Sequence, residues 1–252
     1  MTLQRIAMGV EYDGSAYYGW QQQDNLPSIQ GVLEAAISKV ADEPIKVQGA
    51  GRTDAGVHAM GQVLHFDTAA SRSNLAWLLG ANRYLPRDVR VLWAKPVTSE
   101  FHARYSAVAR TYRYSVYHSM VASAIFYRQA MWCRYELDTA KMQEAASYLL
   151  GEHDFTSFRG AGCQSNTPFR NVIELTISYG GAMLNFKIKA NAFLLHMVRN
   201  IVGSLLLVGV GKHQPSWIKE VLEAKDRRLA GPAAPAKGLY LMQVDYPAKL
   251  LF

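Results

Sequence analysis

The chain has 252 residues, half of them hydrophobic, with 27 basic against 20 acidic side chains, a net charge of +7 and a pI near 9.4. That length supports one large domain or two of ordinary size with a real core, and the apolar content excludes wholesale disorder. The positive excess favours a polyanionic partner, most simply nucleic acid. Two cysteines, Cys133 and Cys163, stand far apart and give neither zinc spacing nor a disulfide framework, as expected in a reducing cytoplasm. The first residues lack the apolar core of a signal peptide. The most apolar stretch, Ile201 to Val210, is too short and too broken by glycine to span a bilayer. A soluble cytoplasmic protein with no membrane segment is expected.

In chain order, residues 4 to 12 read as a strand, followed by Asp13-Gly14-Ser15-Ala16-Tyr17-Tyr18-Gly19-Trp20-Gln21, a turn crowded with aromatics. Exposed aromatics on a loop stack on bases, whereas the alternative has Trp20 closing one edge of the core. Ser28 caps a helix with Ile29, Val32, Leu33, Ala36, Ile37 and Val40 on one face. Strands follow at 45–48 and 62–67, then a helix at about 73–82 and a strand at 89–97. That order is β-α-β-β-α-β.

The second half repeats it. A long strand runs from Tyr105 to Tyr117, with Tyr112 and Tyr114 on one face, and Asp138 caps a helix (Met142, Ala145, Ala146, Leu149) that Gly151 ends. From Val172 to Tyr179, Ile173, Leu175 and Ile177 alternate on one side, and Gly180-Gly181 turns the chain into a strand at 183–189. A helix spans about 194–209, a shorter one 216–224, and a last strand Leu239 to Val244. The polar, glycine-rich segment Gly160 to Pro168 reads as a mobile loop. The fold class expected is α+β, two ferredoxin-like βαββαβ halves forming one mostly antiparallel sheet with helices on one face and a central cleft. The pattern restarts near Phe101-His102-Ala103-Arg104, dividing the chain into 1–102 and 103–252.

The chemistry concentrates in Gly51-Arg52-Thr53-Asp54-Ala55-Gly56-Val57-His58-Ala59, between two strand-like runs. Asp54 lies mid-loop beside a guanidinium that can keep it ionised, which makes it a candidate nucleophile or base. The plain alternative is a tight turn in which Asp54 is a cap and Arg52 its partner. In the helix at 194–209, His196, Arg199, Asn200 and Gly203 share a face opposite the apolar stripe. Arg199 there either needs a carboxylate partner or snorkels to the surface. Arg110-Thr111-Tyr112-Arg113-Tyr114 sets tyrosines on one strand face, where core packing is the default. Gly209-Val210-Gly211-Lys212 lacks the upstream glycine of a phosphate loop, and the seven histidines show no metal-ligand spacing.

The nine residues around Asp54 resemble the active-site motif of the bacterial tRNA pseudouridine synthase A family, in which the aspartate attacks the target nucleotide. Resemblances recur at 191–203, at 110–114, at Phe101 to Ala107, at His153 to Arg159 and at Lys237-Gly238-Leu239-Tyr240-Leu241. They imply the pseudouridine synthase fold and the isomerisation of uridine at positions 38, 39 and 40 of the tRNA anticodon stem-loop. No cofactor and no metal are implied. They further imply Asp54 as nucleophile, Arg199 as the arginine facing it and Tyr112 as the ring that stacks on the target base. Arg52 would fill the space that base vacates, and Leu239 would form an apolar wall beside the uracil. Arg104, Arg110, Arg113 and Arg159 are read as phosphate contacts. A homodimer with tRNA lying across both subunits is expected by the same resemblance. Two other classes stay open on the residues: a non-catalytic structured-RNA-binding protein of the same fold, and a nucleoside hydrolase or glycosidase, which would want a metal or a second placed carboxylate.

Overall fold

Local signals set most of the elements, and long-range pairing arranges them. The computed structural model describes residues 3–250, with the side chain of residue 249 left aside. The described chain forms two units, residues 3–108 with 240–250, and residues 109–239.

In the first unit, strand β1 (Gln4–Tyr12) is central. It pairs antiparallel with β3 (His58–Thr68) on one side and with β4 (Val89–Val97) on the other. Helix α1 (Ile29–Ala41) starts where the Ser28 hydroxyl accepts the Gly31 N–H at 3.2 Å, and it stops at Asp42, which adopts a left-handed φ of 59°. Helix α2 (Asn74–Tyr84) is capped in the same way by Ser73 and packs Trp77 edge-on against Phe66 of β3, the ring centroids 5.3 Å apart. The strand expected at 45–48 shrinks to β2, Gln48–Gly49. Ile45 and Val47 are buried all the same, because Glu34 of α1 accepts the Val47 N–H and takes up the hydrogen bond that a ladder would have used.

In the second unit, β5 (Ala109–His118), β9 (Met183–Ala190), β8 (Phe169–Gly180) and β7 (Gly151–Asp154) lie side by side in that order, all antiparallel. A short strand, β6 (Met131–Cys133), adds in parallel to the end of β5. Helix α3 (Thr139–Ser147) is capped by Asp138 and packs on β8 and on α4 (Met197–Gly209), and α5 (Trp217–Ala224) follows. The class is the α+β arrangement with mostly antiparallel pairing that the pattern predicts.

Further details differ from the sequence reading. The last strand, β10 (Leu239–Asp245), pairs in parallel with β3 through Tyr240 opposite His58 and Leu241 opposite Ala59, so from Tyr240 onward it groups with the first unit. A bulge between Val172 and Glu174 reverses the alternation of β8: Val172 is buried, and Ile173 is 52% exposed. Helix α4 is buried nearly all round and carries no polar face, since Asn200, Gly203 and Ser204 are buried with the apolar stripe. The glycine-rich loop 160–168 is pinned. Arg159 donates to the carbonyls of Cys163 and Ser165 at 2.6 and 2.9 Å, and buried Arg170 donates to the Thr167 carbonyl and the Ser165 hydroxyl. No described helix is long and apolar enough to cross a membrane.

Candidate active site

The loop carrying Asp54 is held from several directions inside the first unit. Its C-terminal end runs directly into β3, which begins at His58, four residues earlier than the sequence pattern suggests. The Asp54 carbonyl accepts the Val57 N–H at 3.1 Å and closes a turn at Ala55-Gly56. Asp54 itself is half-buried and Arg52 exposed, whereas Thr53 between them is buried. The chain therefore turns its acid and its guanidinium outward around one inward residue.

Thr53 is the inward anchor. Its hydroxyl lies 2.9 Å from the Tyr12 hydroxyl at the end of β1, and its carbonyl accepts the Trp20 N–H at 2.9 Å. Gln62 of β3 is fully buried, and its amide brackets the Gly51 residue: Nε2 donates to the Gly51 carbonyl at 2.7 Å and Oε1 accepts the Gly51 N–H at 3.3 Å.

The aromatic turn at 13–21 forms the floor. Gly56 N–H donates to the Tyr17 carbonyl at 3.3 Å. Gly19, at φ 96°, comes so close that an added Cβ would lie 2.6 Å from the Thr53 oxygen and 3.1 Å from the Asp54 carbonyl carbon. Trp20 and Tyr17 are buried here, so the edge-of-core reading holds for Trp20, and Tyr18 is the exposed aromatic of this turn. The Tyr17 hydroxyl donates to Asp88 at 2.7 Å; burial, reinforced by that carboxylate, raises its pKa well above the ordinary phenol value. His58, also buried, accepts the Gly14 N–H at its Nδ1 and stacks on Tyr240 with centroids 4.6 Å apart.

The second unit holds the other candidate residues. Arg199, in the first turn of α4, is half-buried rather than extended into solvent: its Nε donates to the Ala234 carbonyl at 2.8 Å, while the Ala234 N–H donates to the Arg199 carbonyl at 3.0 Å. The Gly231 N–H bonds to the Ser204 hydroxyl at 2.9 Å, so the irregular stretch 231–235 is laid along α4. Tyr112 and Tyr114 of β5 share a face and have different surroundings. Tyr114 is fully buried and donates to the Pro235 carbonyl at 2.8 Å. Burial raises its pKa, against the opposing charge of Arg199. Tyr112 is half-buried, sits opposite Ile188 and meets Phe193 edge-on at 5.0 Å, which leaves part of its ring surface reachable.

Leu239 is buried at the start of β10. Arg110 is half-buried and donates to the Asn191 carbonyl at 3.2 Å. Arg104, in the first unit, is exposed with its guanidinium 5.6 Å from the Tyr105 ring centroid. Arg159 spends two donors on the 160–168 loop, so a phosphate role for it would compete with a structural one. Among the described residues, no group of three or more His, Cys, Asp and Glu side chains is arranged to hold a metal ion. Sequence reasoning singled out Asp54 and Arg52 and passed over Tyr12, Thr53 and Gln62. A buried glutamine inside an apolar strand was the available signal.

The chain matches the family described as tRNA pseudouridine synthase over residues 8–106 and 145–247. It is 56% identical to the tRNA pseudouridine synthase A of Vibrio vulnificus (strain YJ016) over 243 residues, covering 96% of this chain and 92% of that one. It is 55% identical to the tRNA pseudouridine synthase A of Vibrio cholerae serotype O1 (strain ATCC 39541) over 244 residues, covering 97% and 92%. To the tRNA pseudouridine synthase A of Coxiella burnetii (strain Dugway 5J108-111) it is 54% identical over 243 residues, covering 96% and 93%.

Proposed function

The chain belongs to the tRNA pseudouridine synthase family, and from that premise we propose that it isomerises uridine at positions 38, 39 and 40 of the anticodon stem-loop, with Asp54 as nucleophile. Its class is that of an isomerase acting on tRNA. The reaction breaks the bond from C1′ to N1, turns the uracil and joins C5 to C1′; the C5 proton leaves, N1 takes one up, and the mass of the tRNA is unchanged. The observation that carries the assignment is Asp54 itself: a half-buried carboxylate at a turn whose flanking residues are tied to two strands. Such a group keeps its place while a nucleotide is brought to it. Its carboxylate either adds to C1′ or removes the C2′ proton.

The target base must leave the stack, at a cost of a few kcal/mol. Arg52, exposed beside Asp54, is assigned to the space the base leaves. The accessible part of the Tyr112 ring is assigned to stacking on that base, Leu239 to an apolar wall beside the uracil, and Arg199 to partnering the carboxylate. Arg104 and Arg110 are assigned to phosphates. We further propose a cytoplasmic homodimer that binds one tRNA across both subunits.

Asp54→Asn keeps size and hydrogen bonding and removes the nucleophilic charge. Tritium release from C5-labelled uridine should fall by at least about 10³-fold, with tRNA binding largely retained. Release near the wild-type rate would refute the assignment. Mass spectrometry of the reacted stem-loop separates a hydrolase, which frees uracil, and the tritium assay separates a pure binder, which releases no tritium.

A further inference from the structure

Gln62 is out of character for its position. It sits inside β3 among buried Val63 and Leu64, fully buried, where an apolar side chain would bring no desolvation cost. Its amide is nevertheless almost fully used. Nε2 donates to the Gly51 carbonyl at 2.7 Å and lies 3.5 Å from the Tyr12 hydroxyl; Oε1 accepts the N–H groups of Gly51 and Val63, both at 3.3 Å. The Tyr12 and Thr53 hydroxyls lie 2.9 Å apart and share a hydrogen bond in which either oxygen can donate. Residues 51 and 53, on either side of the outward Arg52, are thus tied to β3 and β1, and Asp54 is the next residue along. Elements paired over eight residue positions form the base of this linkage.

We infer that Tyr12 and Gln62 are positioning residues for Asp54, acting through Thr53 and Gly51, and that they govern the rate of the chemical step and not the affinity for tRNA. The inference rests on Asp54 being the nucleophile. A carboxylate displaced by about 1 Å loses on the order of 10²-fold in rate, because attack demands a fixed approach to carbon. Binding, by contrast, is spread over many phosphate contacts that this linkage does not touch.

The test measures single-turnover pseudouridine formation at saturating tRNA, the Kd for tRNA and the melting temperature of each variant. Tyr12→Phe, which removes one oxygen, should slow the chemical step about 10- to 100-fold with Kd within about twofold of wild type. Gln62→Met should do the same; should it fail to fold, Tyr12→Phe carries the test. Thr53→Ser retains the hydroxyl and should retain the rate, whereas Thr53→Val should lose it. The double variant Tyr12→Phe/Thr53→Val should be no slower than its slower parent, because both cut one path. A Tyr12→Phe enzyme with wild-type single-turnover rate, or one whose loss only tracks its melting temperature, would overturn the inference. Asp54→Asn in the same panel separates the two claims. If it is inactive while Tyr12→Phe is wild type, the positioning role alone fails; if it turns over, the nucleophile assignment fails and the inference with it.

Discussion

The proposed nucleophile, Asp54, has to be fixed in place and open to its substrate, and these demands fall on different residues here. Thr53, Gly51 and Gly19 fix the main chain around Asp54, and the outward course at Arg52 and Asp54 keeps both side chains within reach of a ligand. Arg199 shows the complementary economy. Its Nε is committed to the Ala234 carbonyl, which orients the planar fork of the guanidinium. An ammonium at this position has neither the Nε donor nor the fork. Arg199→Lys should therefore lose about 10²-fold or more in turnover, and Arg199→Ala at least as much, while both melt within a few degrees of wild type. Parallel losses in activity and melting temperature would assign Arg199 to structure alone.

Elements carry the next layer of control, most clearly where β3 meets the segment 101–105. His65 of β3 is buried and accepts the Ala103 N–H at its Nδ1, so that nitrogen must be unprotonated. His102 lies against it with ring centroids 4.6 Å apart, and its own Nδ1 accepts the N–H groups of Arg104 and Tyr105. Burial, with the charges of His102 and Arg5 adding to it, pushes the His65 pKa down to about 4. A folded-state value below the unfolded one means that the unfolded chain takes up the proton first as pH falls. Stability is therefore full above about pH 6.5 and is lost progressively between there and about pH 4. Urea unfolding followed from pH 7.5 to 4.5 should show this fall, and a His65→Gln variant should flatten it. An unchanged pH profile in that variant would place the acid sensitivity elsewhere.

For the whole molecule, the net charge of +7 bears on how RNA is met, not on how the chain folds. Arg104 is exposed and Arg110 half-buried, and both are proposed to meet a phosphate backbone. Each phosphate contact removed, by Arg104→Ala or Arg110→Ala, should lower the log–log slope of tRNA affinity against salt by roughly 0.7 to 0.9. Weakening should be similar across tRNA sequences, because phosphates orient a ligand without reading its bases. A slope that stays put, or a loss confined to one tRNA, would show that these arginines do not contact phosphate.

The sequence by itself determined what is local. Helix starts at Ser28 and Asp138 were legible because a cap bonds to an amide two or three residues away. β1 and β4 were legible from runs of strand formers, and Asp54 from the density of chemistry in one short loop. The tertiary structure decided whatever depends on a partner far along the chain. The bulge in β8 exists only in its pairing with β9, and β10 joins β3 across more than 180 residues, which no periodicity reports. Loop 160–168 looked mobile from composition; arginines before and after it satisfy its carbonyls. The support of Asp54 was illegible for the same reason. Tyr12, Gln62 and Thr53 are 41 to 50 residues apart for the Tyr12 contacts, and only the register of β1 on β3 turns three scattered polar side chains into one hydrogen-bonded chain.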